Sequence, residues 1–160
     1  MIEPPGIVQT QPQPIALLRL CVPWAEMRRA MGSGLTEVKD AVATQGIAAT
    51  GPWFTHHVRM ATDTLDFAIC VPVASDVAAA GRVEPGHLPA VTAARTVFHG
   101  DYAGLGTAWG EFRDWIAANG HTTRADFWEC YAVGPETSPD PGDWRTELTW
   151  PLTDAAAAQR

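Results

Sequence analysis

Residues 119–133, NGHTTRADFWECYAV, run from a glycine able to stop a helix into an alternating, ring-rich strand, and residues 45–60, QGIAATGPWFTHHVRM, repeat that order. Gly120 follows Asn119 and Gly46 follows Gln45, each where a helix that ends on a left-handed residue calls for glycine. Trp128 and Trp53 come shortly afterwards and open strands. A second strand follows each, ending in WPL at 150–152 or VPV at 71–73. The spacing predicts the order strand, helix, strand, strand twice over, offset by about 74 to 75 positions.

The rest of the chain fits around these two stretches. Strand-like runs are expected at 15–22, 53–60, 65–73, 91–99, 126–133 and 145–150. Leu65, Phe67, Ile69, Val71 and Val73 keep a period of two, as do Trp144, Thr146, Leu148 and Trp150. Two main helices are expected. The first lies within 24–44 and is weakened by Gly32 and Gly34, each costing about 1 kcal/mol relative to alanine. The second, 105–119, carries Leu105, Ala108, Trp109, Phe112, Trp115 and Ile116 as one apolar stripe. The expectation is a single α+β domain over 1–160: a first half at about 15–75, a connecting segment at about 76–88, a second half at about 89–152 and a tail at 153–160. Each half buries its antiparallel sheet only in part, so the two are expected to pack about a pseudo-twofold axis with a ligand cleft at their junction.

Composition bounds the function. With 160 residues, 46% of them hydrophobic and 18% charged, the chain is long enough to bury roughly two thirds of its unfolded surface. The net charge of -7, without a basic cluster, argues against a nucleic-acid surface and favours a cationic partner. Three scattered cysteines, Cys21, Cys70 and Cys130, form no Cys-x-x-Cys pair, so they signal neither zinc nor a disulfide framework and read as reduced thiols of a cytoplasmic protein. The start of the chain does not read as a signal peptide, and no apolar run of about 18 residues offers a membrane span. No metal and no cofactor is expected: His56 and His57, as strand neighbours, point to opposite faces.

Within FWECY, alternation puts Phe127, Glu129 and Tyr131 on one face and Trp128 and Cys130 on the other. A carboxylate standing between two rings, if withdrawn from water, costs several kcal/mol unless it is paired. A flat, delocalised cation would relieve that cost while stacking on the rings, at roughly 0.5–2 kcal/mol per contact. The pattern alone leaves open a solvated Glu129, or one paired with Arg95, Arg124 or Arg145. It likewise leaves open which of Trp53 and Phe54 faces inward, Trp53 alternating with Thr55 and His57.

Residues 98–120, FHGDYAGLGTAWGEFRDWIAANG, and 126–152, DFWECYAVGPETSPDPGDWRTELTWPL, resemble the GyrI-like small-molecule-binding domain, the module that also serves as effector-binding domain in bacterial multidrug-responsive transcription regulators. The HGDYAGL turn, Trp109 and Trp115, the Trp128–Glu129 pair with Tyr131, Gly134–Pro135, and Thr146–Glu147 running to Pro151 carry the resemblance; Gly51–Pro52–Trp53–Phe54 carries it more loosely in the first half. The resemblance implies an aromatic cavity in which Glu129 meets cationic aromatic ligands. Trp53, His57, Trp109, Phe127, Glu129, Tyr131 and Trp144 are the expected ligand-binding residues. His57 departs from the tyrosine common in the family at that place. No helix-turn-helix precedes the first expected strand, so direct DNA binding is not expected.

The function expected on these grounds is capture or sensing of amphipathic, cationic aromatic compounds by a stand-alone small-molecule-binding protein. Two alternatives stand beside it. Some family members resemble hydrolases of reactive, strained-ring compounds, a role in which Glu129 and Tyr131 would be the catalytic pair, although no Gly-x-Ser-x-Gly nucleophile is present. Others are thought to act on DNA gyrase, for which acidic residues such as Asp140 and Asp143 would face a basic protein partner.

Overall fold

The computed structural model describes residues 1–60 and 63–153; the expected tail lies, from 154 on, outside the described residues. In chain order the elements are β1 (Gly6–Gln9), β2 (Gln13–Pro23), α1 (Met27–Thr44), β3 (Phe54–Met60), β4 (Thr64–Pro72), β5 (Val83–Leu88), β6 (Thr92–His99), α2 (Leu105–Ala118), β7 (Phe127–Val133) and β8 (Arg145–Pro151). Short 3₁₀ turns at Trp24–Glu26, Tyr102–Gly104 and Pro141–Asp143 lead into α1, α2 and β8. The architecture is α+β and falls into two compact units, one holding Gln11–Pro89 and the other Met1–Thr10 together with the chain from Ala90 onward.

In the unit Gln11–Pro89 the strands pair antiparallel in the order β3-β4-β2-β5, and in the other unit in the order β1-β6-β8-β7. The expected repeat is therefore present as β2-α1-β3-β4 and β6-α2-β7-β8. Its period shows in detail. α1 buries Gly34, Val38 and Val42, and α2 buries Ala108, Phe112 and Ile116, each one position in four along a single helix face. Subtracting one triplet from the other gives 74 at every position. The helices stop alike: Gly46 has φ 67 and Gly120 φ 78. The amides of Ile47 and His121 then reach back to the carbonyls of Val42 and Ile116. β3 and β7 each carry one extra residue against their partner strand, after His57 and after Tyr131, which are again 74 apart.

Two strands lie outside the expected set. The segment expected to connect the halves contains β5, whose VEPGHL sequence hides a strand behind Pro85 and Gly86. Proline is tolerated there because β5 pairs on one side with β2 within its unit and its other side needs no ladder donor. β1, in the proline-rich start, pairs with β6.

In each unit one face of the strands packs on the helix. Leu65, Phe67, Ile69 and Val71 of β4, with Val73 just beyond it, join Ala16, Leu18 and Leu20 of β2 beneath Val38 and Val42. Ala94, Phe98 and Leu148 lie beneath Ala108, Phe112 and Ile116. Gly34 explains the glycine that weakens α1 in sequence: a Cβ there would stand 2.5 Å from Ile69 Cδ1, so the bare backbone lets the helix approach the sheet. Gly32 has open space around it and an exposed position. Gly32→Ala is expected to stabilise the fold by about 0.5–1 kcal/mol through helix propensity, whereas Gly34→Ala forfeits that gain to the clash. Urea unfolding of the two variants checks the difference in sign.

Candidate functional site

The register of β7 against β8 places Glu129 opposite Leu148 and Tyr131 opposite Thr146. Leu148 is core beneath α2, so Phe127, Glu129 and Tyr131 share the helix-covered face and Trp128 and Cys130 take the other. Glu129 is buried, only 9% exposed as a residue, and two neutral donors hold its carboxylate. Trp109 Nε1 donates to Oε2 at 2.7 Å, and the Tyr131 hydroxyl donates to Oε1 at 2.9 Å. An indole N–H can only donate, so the Trp109 bond fixes which oxygen faces α2.

Rings extend from both ends of this carboxylate. On one side Trp109 packs against Phe127 (centroids 4.5 Å apart) and edge-on against Trp150 (5.3 Å), with Phe127 and Trp150 5.5 Å apart. On the other, Tyr131 meets the edge of Tyr102 at 5.7 Å, and Tyr102 tilts against Trp144 at 5.0 Å. Trp109 arrives here because it follows Ala108 on α2, at the flank of the buried stripe.

Tyr102 and Trp144 are positioned by loops. Asp101 caps the turn before α2 by accepting from the Ala103 amide at 2.8 Å, which sets the ring of Tyr102. A Cβ on Gly134 would lie 2.8 Å from the Tyr102 hydroxyl and 3.2 Å from the Glu136 carboxylate oxygens, so this glycine makes room for both. Burial first, then the charges of Glu136 and Glu129, push the Tyr102 phenol up to about 12, keeping its proton in place at neutral pH. Trp144 is tied to the same loop by its Nε1 bond to the Ser138 carbonyl at 2.9 Å. Asp140 and Asp143, candidates for meeting a basic partner, stitch this loop: Asp140 accepts from the Gly142 amide and Asp143 from the Ser138 hydroxyl.

The arginines weighed as partners of Glu129 are engaged elsewhere. Arg95 bonds Thr149 at 3.0 Å and lies 3.5 Å from Glu147, on the opposite sheet face. Arg124 meets Asp126, and Arg145 donates to the carbonyls of Gly142 and Trp144.

Trp53 and His57 belong to the unit Gln11–Pro89. Thr55 opposite Ile69 and His57 opposite Phe67 put them on the helix-covered face of that unit, with Trp53 half-buried against the same core and Phe54 on the far face. His57 Nε2 lies 2.9 Å from Thr55 Oγ1, and the imidazole stacks on Phe67 at 5.6 Å. Five of the seven expected residues, Trp109, Phe127, Glu129, Tyr131 and Trp144, thus gather around one carboxylate in one unit. Sequence reasoning missed Tyr102, which sits in a turn, and Trp150, whose alternation with Leu148 was the available signal.

Cys21, Cys70 and Cys130 are free, and burial pushes the Cys70 and Cys130 thiols up to about 12, so neither is a ready nucleophile. Among the described residues no group of three or more His, Cys, Asp or Glu is placed to hold a metal, and no helix is long and apolar enough to cross a membrane.

No curated protein matches the chain. Among solved structures, EcmrR in its complex with DNA superimposes with a TM-score of 0.82 at 21% identity, covering 94% of this chain, which spans 57% of that one. The EcmrR C-terminal domain gives 0.76 at 20% identity, covering 93% of this chain and 96% of that one. SAV2435 bound to tetraphenylphosphonium gives 0.61 at 11% identity, with 94% of each chain covered. At these identities the likeness establishes a shared fold. The family model described as GyrI-like small molecule binding domain matches residues 3–153, nearly the whole length over which the repeated units and the ring-lined carboxylate are built, and the chain belongs to that family.

Proposed function

We propose that this small-molecule-binding domain captures or senses amphipathic aromatic cations in the cytoplasm, and that Glu129, with Trp109, Phe127, Tyr131 and Trp144 around it, is the recognition group. The observation that carries the reading is a buried glutamate, 9% exposed, whose carboxylate is bonded by an indole and a phenol with rings on both sides. Two neutral donors offset part of the desolvation of the charge, and a bound cation would offset more. Each ring in contact would add roughly 0.5–2 kcal/mol. Selection then depends on shape and charge sign more than on a detailed hydrogen-bond pattern, which suits a broad range of guests. Trp53 and His57 are proposed as further ligand contacts. The tetraphenylphosphonium carried by SAV2435, a structural neighbour, is a cation with aromatic arms and agrees with the class.

The test compares a flat cationic dye with a neutral dye of the same ring skeleton by fluorescence titration. The cation is expected to bind at least tenfold more tightly, the equivalent of about 1.4 kcal/mol; equal affinities would contradict the reading. Product analysis of the same mixtures with an electrophilic, strained-ring compound separates binding from hydrolysis. Stoichiometric binding without product supports capture, whereas turnover that needs Glu129 would assign it and Tyr131 a catalytic role.

A further inference from the structure

Thr146 sits on β8 directly opposite Tyr131 on one side and Phe98 on the other, on the helix-covered face that carries Glu129. It is fully buried, at 0% exposure, and its Oγ1 has no hydrogen-bond partner. A buried hydroxyl left unsatisfied is a cost that folds rarely retain without a use. The other threonines of this unit's sheet show the contrast. Thr96 donates to the Glu3 carbonyl, and Thr149 accepts from Arg95. Valine would fill the same space in a strand with equal or better propensity and no orphan oxygen.

Opposite Thr146, Tyr131 spends its single proton on Glu129, and Trp109 does the same, so both of these donors are already turned toward the carboxylate. A cationic guest held by Glu129 brings donors of its own if its charge is carried on N–H, and none if it is quaternary. Resting on the reading of Glu129 as the recognition group, we propose that Thr146 Oγ1 accepts a hydrogen bond from a ligand N–H. The domain thereby favours protonated aromatic amines over quaternary aromatic cations of the same shape.

The test uses two fluorescent three-ring cations, protonated 9-aminoacridine, which offers N–H donors, and 10-methylacridinium, which offers none. Both are titrated into the wild type, Thr146→Val and Thr146→Ser, with a thermal melt of each protein. Thr146→Val is expected to weaken 9-aminoacridine about tenfold, to leave 10-methylacridinium within twofold, and to melt at or above the wild-type temperature. Thr146→Ser, which keeps the oxygen, is expected to bind both dyes as the wild type does. Equal effects on the two dyes, or none on either, would overturn the proposal while the wild type still binds both. A valine variant that melts early would overturn it too, by showing that the hydroxyl serves the fold through a buried water. A wild type that binds neither dye would overturn the Glu129 reading itself and this inference with it.

Discussion

Glu129→Gln lowers affinity for a flat aromatic cation by about 30-fold or more, because removing one member of a buried charge pair costs at least about 2 kcal/mol. The fold is expected to survive the change. The glutamine carbonyl can take the Trp109 N–H, which has no other way to be satisfied, and the Tyr131 hydroxyl can turn to accept from the new amide. Stability should therefore fall by only about 1 kcal/mol, since two charge-assisted bonds become neutral ones. A neutral dye of the same skeleton should bind the variant as it binds the wild type. Dye fluorescence for affinity, with a urea melt on the same preparations, separates the effects; unchanged cation affinity would remove Glu129 from the site.

The largest effect on stability is expected at Phe112. Its side chain is 0% exposed, it is the central residue of the α2 stripe, and it packs with Ala94, Phe98 and Leu148 of the sheet. Phe112→Ala should cost about 3–5 kcal/mol, the transfer of the ring plus the cavity it leaves. That is a large part of the ~5–15 kcal/mol that holds a domain together. The consequence reaches the site, because Trp109 lies one turn earlier on α2 with its ring 5.9 Å from that of Phe112. In urea the unfolding midpoint should drop with the slope unchanged. A loss below about 1 kcal/mol would mean that α2 is not seated on its sheet as described.

How far the sequence could be read depended on which interactions leave a period behind. The glycine stops at 46 and 120 and the alternation through β4, β7 and β8 are local, so the repeat and the face of Glu129 were legible. β5 was not, because its one-sided pairing within the unit lets Pro85 and Gly86 stand in a strand and erases the alternation. Gly34 read as a weak point of α1, since nothing in the pattern says that a sheet side chain lies 2.5 Å from where its Cβ would be. The choice between Trp53 and Phe54 needed the pairing of β3 with β4, a long-range register that neither strand encodes alone. Tyr102 escaped because its place depends on a capped turn and on the room left by Gly134, thirty-two residues away in sequence.

The most direct measurement is a crystal structure of the domain with 10-methylacridinium. The dye is expected to stack on the rings beside Glu129, with its charged ring within about 5 Å of the carboxylate oxygens. A dye bound at saturating concentration elsewhere on the chain, with Trp109 and Tyr131 still enclosing an untouched Glu129, would contradict it.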